Sequence, residues 1–284
     1  MTIKKNQIQE ILLSALKIRK FEESLDKQFK DGIIYGTFHR CIGQELTAVI
    51  CTYFLNKKDD FIVSNHRNHG HYLGFSNDYK GLADELMGKT SGVTSGLGGS
   101  QLIFGNNFIS NGILGSTVPI AVGLSFGNKL KNDKSLVVCF IGDGALGEGQ
   151  VYEAFNLASL LELKILFIVE NNNWAQSTHI SEQMSGTIEG RFNAFNIKSF
   201  TIENSSLEEM ANTFLNGLEY VSENNKPVGI IFKIERLGAH SKGDDTRDAE
   251  YLIKIKKKDI LSQSLHLLED FNIEIENQII ELWH

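Results

Sequence analysis

The sequence predicts an α/β fold, doubly wound around a mostly parallel sheet with helices on both faces. Two observations carry that expectation. Ser135-Leu-Val-Val-Cys-Phe-Ile141 and Lys164-Ile-Leu-Phe-Ile-Val169 are continuous apolar runs of strand length, and a helical stretch from Glu148 to Leu161 lies between them. Strand, helix and strand at that spacing form a right-handed parallel crossover, and runs without polar alternation belong to strands covered on both faces. Length bears on the number of domains: 284 residues sit at the upper edge of what one hydrophobic core supports, without help from a disulfide or structural metal. No domain boundary is evident, so residues 1–284 read as one domain.

Apolar positions at Ile8, Ile11, Leu12, Ala15, Leu16, Phe21, Leu25 and Phe29 fall near helical spacing and predict an amphipathic helix over 4–30, ending before Asp31-Gly32. Residues 44–55 read as a second, more buried helix, and Asp60 to Ser64 as a short strand leading into the polar cluster His66-Arg-Asn-His-Gly-His71. From Gly88 to Gly115 the chain is rich in Gly, Ser and Asn, the composition of a long functional loop. Pro119 to Leu130, with Ala121, Gly123 and Gly127 at close-packing intervals, reads as a buried helix ahead of the crossover. Two further strands are expected over 197–202 and 228–234, and a helical tail over 254–284.

Composition narrows the function classes. The balance of 28 basic against 35 acidic residues gives −7, which argues against nucleic acid or an acidic membrane as partner. No apolar run reaches the length of a membrane span, and the opening MTIKKNQIQE lacks the apolar core of a signal peptide. Cys41, Cys51 and Cys139 show no CxxC spacing, so the expected setting is a reducing cytoplasm. The 26 glycines are unevenly spread, many of them over 88–115 and 142–149.

In an open parallel sheet, ligands bind beyond the carboxyl ends of the strands. The residues that follow the expected strands are His66 and Arg67, then Asp143, then Asn171 and Asn172, then Arg236 and His240. These are groups suited to a metal and an anion. Asp143 sits between Gly142 and Gly144, which let the backbone turn and approach a ligand, and the helix start that follows offers free amides to a phosphate. A carboxylate and an amide oxygen from neighbouring strand ends, with one backbone carbonyl, form half of an octahedral Mg²⁺ shell. Weaker patterns have blander readings. His66, His69 and His71 have zinc-like spacing but no Cys or carboxylate nearby to complete a tetrahedral shell. Gly96-Leu-Gly-Gly99 lacks the preceding strand of a dinucleotide loop, Cys139 belongs to the core, Cys41 reads as inert packing, and Lys254-Ile-Lys-Lys-Lys258 as a solvated helix face.

Gly142-Asp143-Gly144 followed by Glu170-Asn171-Asn172 resembles the thiamine-diphosphate signature. From about residue 10 to about 250 the chain resembles the alpha subunit of the decarboxylating component of 2-oxo acid dehydrogenase complexes (pyruvate, branched-chain and acetoin types). The likeness includes His39-Arg-Cys-Ile-Gly-Gln-Glu45, His66-Arg-Asn-His-Gly70, Gly98-Gly99-Ser100, Asn111-Gly-Ile-Leu-Gly115 and Arg236-Leu-Gly-Ala-His-Ser241.

That resemblance implies a thiamine-diphosphate-binding fold of the diphosphate- and metal-binding type. It places Mg²⁺ on Asp143, Asn172 and the Trp174 carbonyl, and the diphosphate on the Gly144 and Ala145 amides, with Arg67 and Arg236 pairing its charge. It makes Leu114 the apolar wedge that bends the cofactor, and the Gly112 carbonyl the acceptor for its amino group. His66 falls where the family usually has Tyr, at a cofactor contact. His240, on a loop, would touch the diphosphate and assist proton transfer; His39 would line the substrate entrance; His69 completes the catalytic candidates. When bound, the cofactor supplies a carbon nucleophile that adds to the 2-oxo group and stabilises the charge left by departing CO₂. The activating glutamate on the pyrimidine side has no candidate here, since Glu45 and Glu148 are tempting but the family takes it from a beta subunit. The implied assembly is α₂β₂, with a lipoyl-bearing acyltransferase as acyl acceptor. Three rivals share these residues: a carboligase that passes the acyl group to an aldehyde or ketone, a split transketolase half, and a non-enzymatic subunit that binds the cofactor without turnover. Further departures from the family are Ala239 before His240 and a short stretch after Arg247.

Overall fold

A computed structural model describes residues 2–283 apart from 106, 204, 205, 242 and 244, and apart from the side chains of 267 and 269–272. In chain order its main elements are α1 (Lys5–Lys30), α2 (Glu45–Tyr53), β1 (Phe61–Ser64), α3 (His69–Ser76), α4 (Tyr79–Leu86), β2 (Phe108–Ser110) and α5 (Thr117–Leu130). There follow β3 (Val137–Gly142), α6 (Gly149–Leu160), β4 (Ile165–Asn171), α7 (Ile188–Ala194), β5 (Lys198–Ile202), α8 (Leu207–Asn224) and β6 (Val228–Lys233). The chain ends in α9 (Ala249–Lys256), α10 (Ile260–Ser264) and α11 (Glu269–Glu281). These elements group into two compact units, one built mainly on residues 56–65 and 107–234, the other on 4–55, 66–106 and 235–284.

The first unit holds six strands of a seven-stranded sheet, in the order β2-β1-β3-β4-β6-β5, and each neighbouring pair among these six is parallel. The crossover expected between 135 and 169 is present, with β3 and β4 in register from Val137↔Ile165 to Gly142↔Glu170. Both strands are buried along almost their whole length, as continuous apolar runs require. Against them pack Phe155 from α6 and Phe192 from α7, stacked at 4.9 Å, with Phe167 of β4 at 4.8 Å from Phe155. Each such ring, fully buried, contributes about 1.5–3 kcal/mol relative to leaving it in water. Gly229 in β6 makes room for this cluster, since a Cβ there would stand 2.6 Å from the Phe192 ring. The order of strands reverses between β1 and β3, the position at which a doubly wound sheet opens a crevice at its carboxyl edge.

Two details of this unit depart from the sequence reading. The stretch 88–115 was expected to be loop throughout, yet Phe108–Ser110 pairs with β1 as a parallel strand. Three residues between glycine- and asparagine-rich flanks are too few to show a period. In α5, Gly123 and Gly127 face open space rather than a packed neighbour, and Ile120, Phe126 and Leu130 are exposed. The helix is therefore buried along one face, through Val118, Ala121, Val122 and Ser125.

The second unit is helical. α1 matches the expected span to within a residue, and Gly32 follows its end at φ +71°, a backbone that favours glycine. Its buried face carries Arg19 and Glu22 among the apolar residues. Phe21 stacks on Trp283 at 5.5 Å and meets Tyr79 edge-on, while the Trp283 Nε1 donates to Ser24 Oγ. α3 is a helix that the polar composition of 66–71 concealed: His69 and His71 are buried in its first turn, with Tyr72, Leu73 and Phe75 following. α4 is capped by Asp78, whose carboxylate accepts from the Gly81 amide at 2.8 Å. The glycine-rich stretch after it is anchored on one buried carboxylate. Glu85 accepts the amides of Thr94, Gly96, Gly98 and Gly99 at 2.7–3.0 Å. The tail expected as helix over 254–284 is broken into α9, α10, a 3₁₀ turn over Leu265–Leu267 and α11.

Candidate active site

In the first unit the register that ends at Gly142↔Glu170 brings Asp143 and Asn172 just beyond the carboxyl ends of adjacent strands, β3 and β4. Asp143 opens a 3₁₀ turn, Asp143–Gly147, that leads into α6, so the amides of Gly144 and Ala145 lie in the first turn, where helical partners are lacking. Neither Gly142 nor Gly144 needs a positive φ. Gly144 is required by close approach instead: a Cβ would stand 2.7 Å from the Ala175 Cβ. Around Gly142 there is open space, into which a side chain would project.

Asp143 is 3% exposed. Its Oδ1 accepts from the Gly144 amide at 3.0 Å, whereas its Oδ2 is buried with no partner among the described residues. Burial pushes the carboxyl up to about 6, against the pull of backbone amides from Gly144, Asn173 and Trp174. An unpartnered buried carboxylate oxygen is costly unless a cation meets it. Asn172 Oδ1 accepts from the Trp174 amide at 3.0 Å and keeps a second lone pair. Asn173 between them is left-handed at φ 65°, which turns the chain sharply before the two-residue ribbon Trp174–Ala175 and Thr178–His179. The donor set is carboxylate, amide oxygen and carbonyl, the hard oxygens that Mg²⁺ prefers. Gly112 and Leu114 lie on the turn ahead of α5, where Asn111 Oδ1 accepts from the Ile113 amide at 2.7 Å. Leu114 is 37% exposed, leaving apolar surface to meet a ligand.

The second unit gathers cations and imidazoles from three separate stretches. Arg67 is buried, donates through Nη1 to the Arg40 carbonyl and through Nη2 to the His240 carbonyl at 3.2 Å. Arg236 is among the largest fully buried side chains. The rings of His39 and His66 lie 4.4 Å apart, those of His39 and His240 4.8 Å, and those of His66 and His240 5.4 Å. Burial, and then the charges of Arg67, His39, His240 and Arg236, push His66 down to about 2, so its ring is neutral at ordinary pH. His69 stands apart from these rings in its bonding. It is fully buried, with Nδ1 2.7 Å from Glu22 Oε1 and Nε2 2.9 Å from Ser100 Oγ. The zinc-like triplet His66, His69 and His71 is thus not a cluster; the rings that meet His66 come from residues 39 and 240.

Three supporting groups escaped the sequence reading. Glu22 orients His69 with one oxygen and accepts the Cys41 amide with the other. Arg247 ties down the loop that carries His240, donating to the Arg236 and Gly238 carbonyls at 2.7 Å each while Asp245 holds its guanidinium. Arg19 spans Glu45 and Asp259, which occupies Glu45 in an ion pair and removes it as a candidate acid. The available signal was charge at apolar-face positions, since Arg19 and Glu22 lie three residues apart on the buried side of α1. Glu148, the other tempting carboxylate, is an exposed residue at the start of α6.

The family described as dehydrogenase E1 component matches residues 14–279. The chain belongs to that family. Among curated relatives, the pyruvate dehydrogenase E1 component subunit alpha of Rickettsia typhi is 34% identical over 270 residues, covering 93% of this chain and 82% of its own. The protein of that name from Rickettsia prowazekii is 35% identical over 261 residues, 90% of this chain and 80% of its own. The one from Zymomonas mobilis is 33% identical over 247 residues, 86% and 70%. The function is that of an alpha chain of a thiamine-diphosphate-dependent 2-oxo acid dehydrogenase, as the sequence motifs led one to expect. Family membership also implies a beta chain as partner. No helix among the described residues is long and apolar enough to cross a membrane.

Proposed function

We propose that this chain supplies the metal- and diphosphate-holding residues of a 2-oxo acid decarboxylating dehydrogenase, with Mg²⁺ on Asp143, Asn172 and the Trp174 carbonyl. The buried, unpartnered Asp143 Oδ2 beside the Gly144 amide is the observation that carries this reading. The Gly144 and Ala145 amides hold phosphate oxygens, and Arg67 and Arg236 neutralise phosphate charge. Gly112 and Leu114 orient the cofactor, through a carbonyl acceptor and an apolar wedge. His66 is a further cofactor contact.

The cofactor, when bound, supplies the carbon nucleophile and takes up the charge that departing CO₂ leaves behind. His240, fixed by Arg67 at its carbonyl and by the Arg247-braced loop, is placed to hold or move a proton at its ring. His39 lines the entrance beside it. His69, engaged at both ring nitrogens by Glu22 and Ser100, acts as a positioning residue for the 98–101 segment. The beta partner provides the pyrimidine-side glutamate, the assembly is α₂β₂ and cytoplasmic, and the acyl group passes to a lipoyl carrier. The names of the relatives make pyruvate the first 2-oxo acid to assay.

The test is reconstitution. The chain alone should release no CO₂ from pyruvate or branched 2-oxo acids, and the chain with its beta partner, Mg²⁺ and thiamine diphosphate should do so and acylate an added lipoyl domain. Turnover by the isolated chain would refute the shared site. Decarboxylation with transfer to an aldehyde, and none to lipoyl, would move the assignment to a carboligase.

A further inference from the structure

The Asp143 oxygen suits a hard cation; a second group of side chains has the donor chemistry of a softer one. His39, His66 and His240 each offer a ring nitrogen, and these atoms all lie within 4.8 Å of one another. Both ring nitrogens of His66 are buried without a hydrogen-bond partner among the described residues. A buried imidazole that meets neither donor nor acceptor is destabilising by the full loss of its hydration, and native interiors seldom tolerate it without a ligand. The other two rings face it edge-on or tilted, so their nitrogens converge rather than stack.

We infer that His39, His66 and His240 form a tri-histidine site for a divalent transition-metal ion of the zinc class, open at its fourth position. Tetrahedral Zn²⁺ with bonds of about 2.0–2.1 Å separates its ligand atoms by about 3.3 Å, so the three rings need to close by roughly 1.5 Å. Small χ rotations of imidazoles on one helix-flanking turn and two loops supply that. Arg67 approaches the Nδ1 of His240 to 3.5 Å, a length at which little bonding is lost if that ring turns. The donor set excludes Mg²⁺, which takes oxygen, and suits Zn²⁺, Co²⁺, Ni²⁺ or Cu²⁺. Three neutral imidazoles leave the ion's charge uncompensated next to Arg67 and Arg236, so the open position takes hydroxide or another anion. Because His66 and His240 are also the residues proposed to meet the cofactor, an ion seated here withdraws them from it.

Direct metal binding tests this without the cofactor or the beta chain, so its failure leaves the proposed function standing, and failure of reconstitution leaves the metal site standing. The untagged full chain, stripped with a chelator, is titrated with Co²⁺ and followed by its visible ligand-field bands. The expected result is one equivalent per chain with the intense spectrum of four-coordinate Co²⁺, displaced by Zn²⁺ and unaffected by a large excess of Mg²⁺. His66→Phe and His240→Asn should each weaken binding at least ~100-fold, the upper end of what loss of a mere supporting group produces. His266→Asn, at an exposed ring, should change nothing. Circular dichroism reports whether each variant is folded, and His39→Asn replaces any that is not. Absence of stoichiometric binding, a weak octahedral spectrum, or unchanged affinity in the folded variants would overturn the site.

Discussion

On the proposed function, the two units solve the same problem, presenting polar groups to a charged ligand, by opposite means. In the first, Asp143 and Asn172 follow directly from strand register, and what lies behind them is apolar: a doubly covered sheet and the Phe155, Phe167 and Phe192 cluster. In the second, Arg67, His39, His66 and His240 come from three stretches of chain and rest on buried charge, with Arg19 on Glu45 and Asp259, Glu22 on His69, Glu85 on four amides, and Arg247 on Asp245. A sheet edge positions its residues by backbone geometry, which is cheap to encode. A cluster drawn from separate stretches without a sheet beneath it is held here by internal charge pairs, and each of those is costly to leave half-made.

The sharpest way to separate the two is to break a buried charge in one and a packing contact in the other. Arg19→Ala leaves Glu45 buried with no guanidinium, and since burial already pushes that carboxyl upward, the loss should be about 3–5 kcal/mol by urea unfolding. Phenylalanine truncation in the other unit, Phe167→Ala, is expected to cost a similar ~3–5 kcal/mol by the cavity it leaves. The distinction lies in rescue. A smaller loss for the double variant Arg19→Met with Glu45→Gln than for Arg19→Ala alone would show that the charge left behind, and not the packing, dominates the second unit. An equal loss would break the contrast.

Gly144→Ala sets a Cβ 2.7 Å from Ala175, an overpacking cost of about 1–3 kcal/mol. It should also raise the Kd for thiamine diphosphate, because the amide it carries must shift. Unchanged stability and affinity would mean that the turn has slack. The smallest effect concerns pH. Arg247, through hydrogen bonds and charge, holds the Asp245 carboxyl below its ordinary value. A depressed acid contributes stability that is complete above its unfolded pKa and fades as pH falls through the folded one. The segment 236–241 that Arg247 holds should therefore stay protected from amide exchange down to the ordinary carboxylate range and open below it. Asp245→Asn should flatten that acid limb, and an unaltered limb would count against the clamp.

How much of this was legible in sequence follows the same division. The parallel crossover, the strand ends and the Asp143–Asn172 pair were readable because apolar runs and residue order alone determine a strand's covered faces and what stands at its carboxyl end. The thiamine-diphosphate motifs were equally plain. The supports of the second unit were not, since Glu22, Arg19 and Arg247 act through partners 19 to 240 residues away along the chain or through carbonyls that no motif marks. α3 was obscured because its first turn is made of histidines, which composition alone assigns to a loop. Gly144 was singled out for a sharp turn and a close approach to a ligand; the constraint from the Ala175 side chain, which lies 31 residues on, was not legible.

On the proposed function, Asp143 holds the ion that binds the diphosphate. Calorimetric titration of thiamine diphosphate into the chain assembled with its beta partner, with Mg²⁺ present and after chelation, tests it directly when repeated on Asp143→Asn. Tight binding that requires Mg²⁺ in the wild type, and that falls at least ~100-fold in the variant to the level seen without metal, is the predicted result. Equal affinity with and without Mg²⁺, or a variant that keeps its Mg²⁺ dependence, would contradict it.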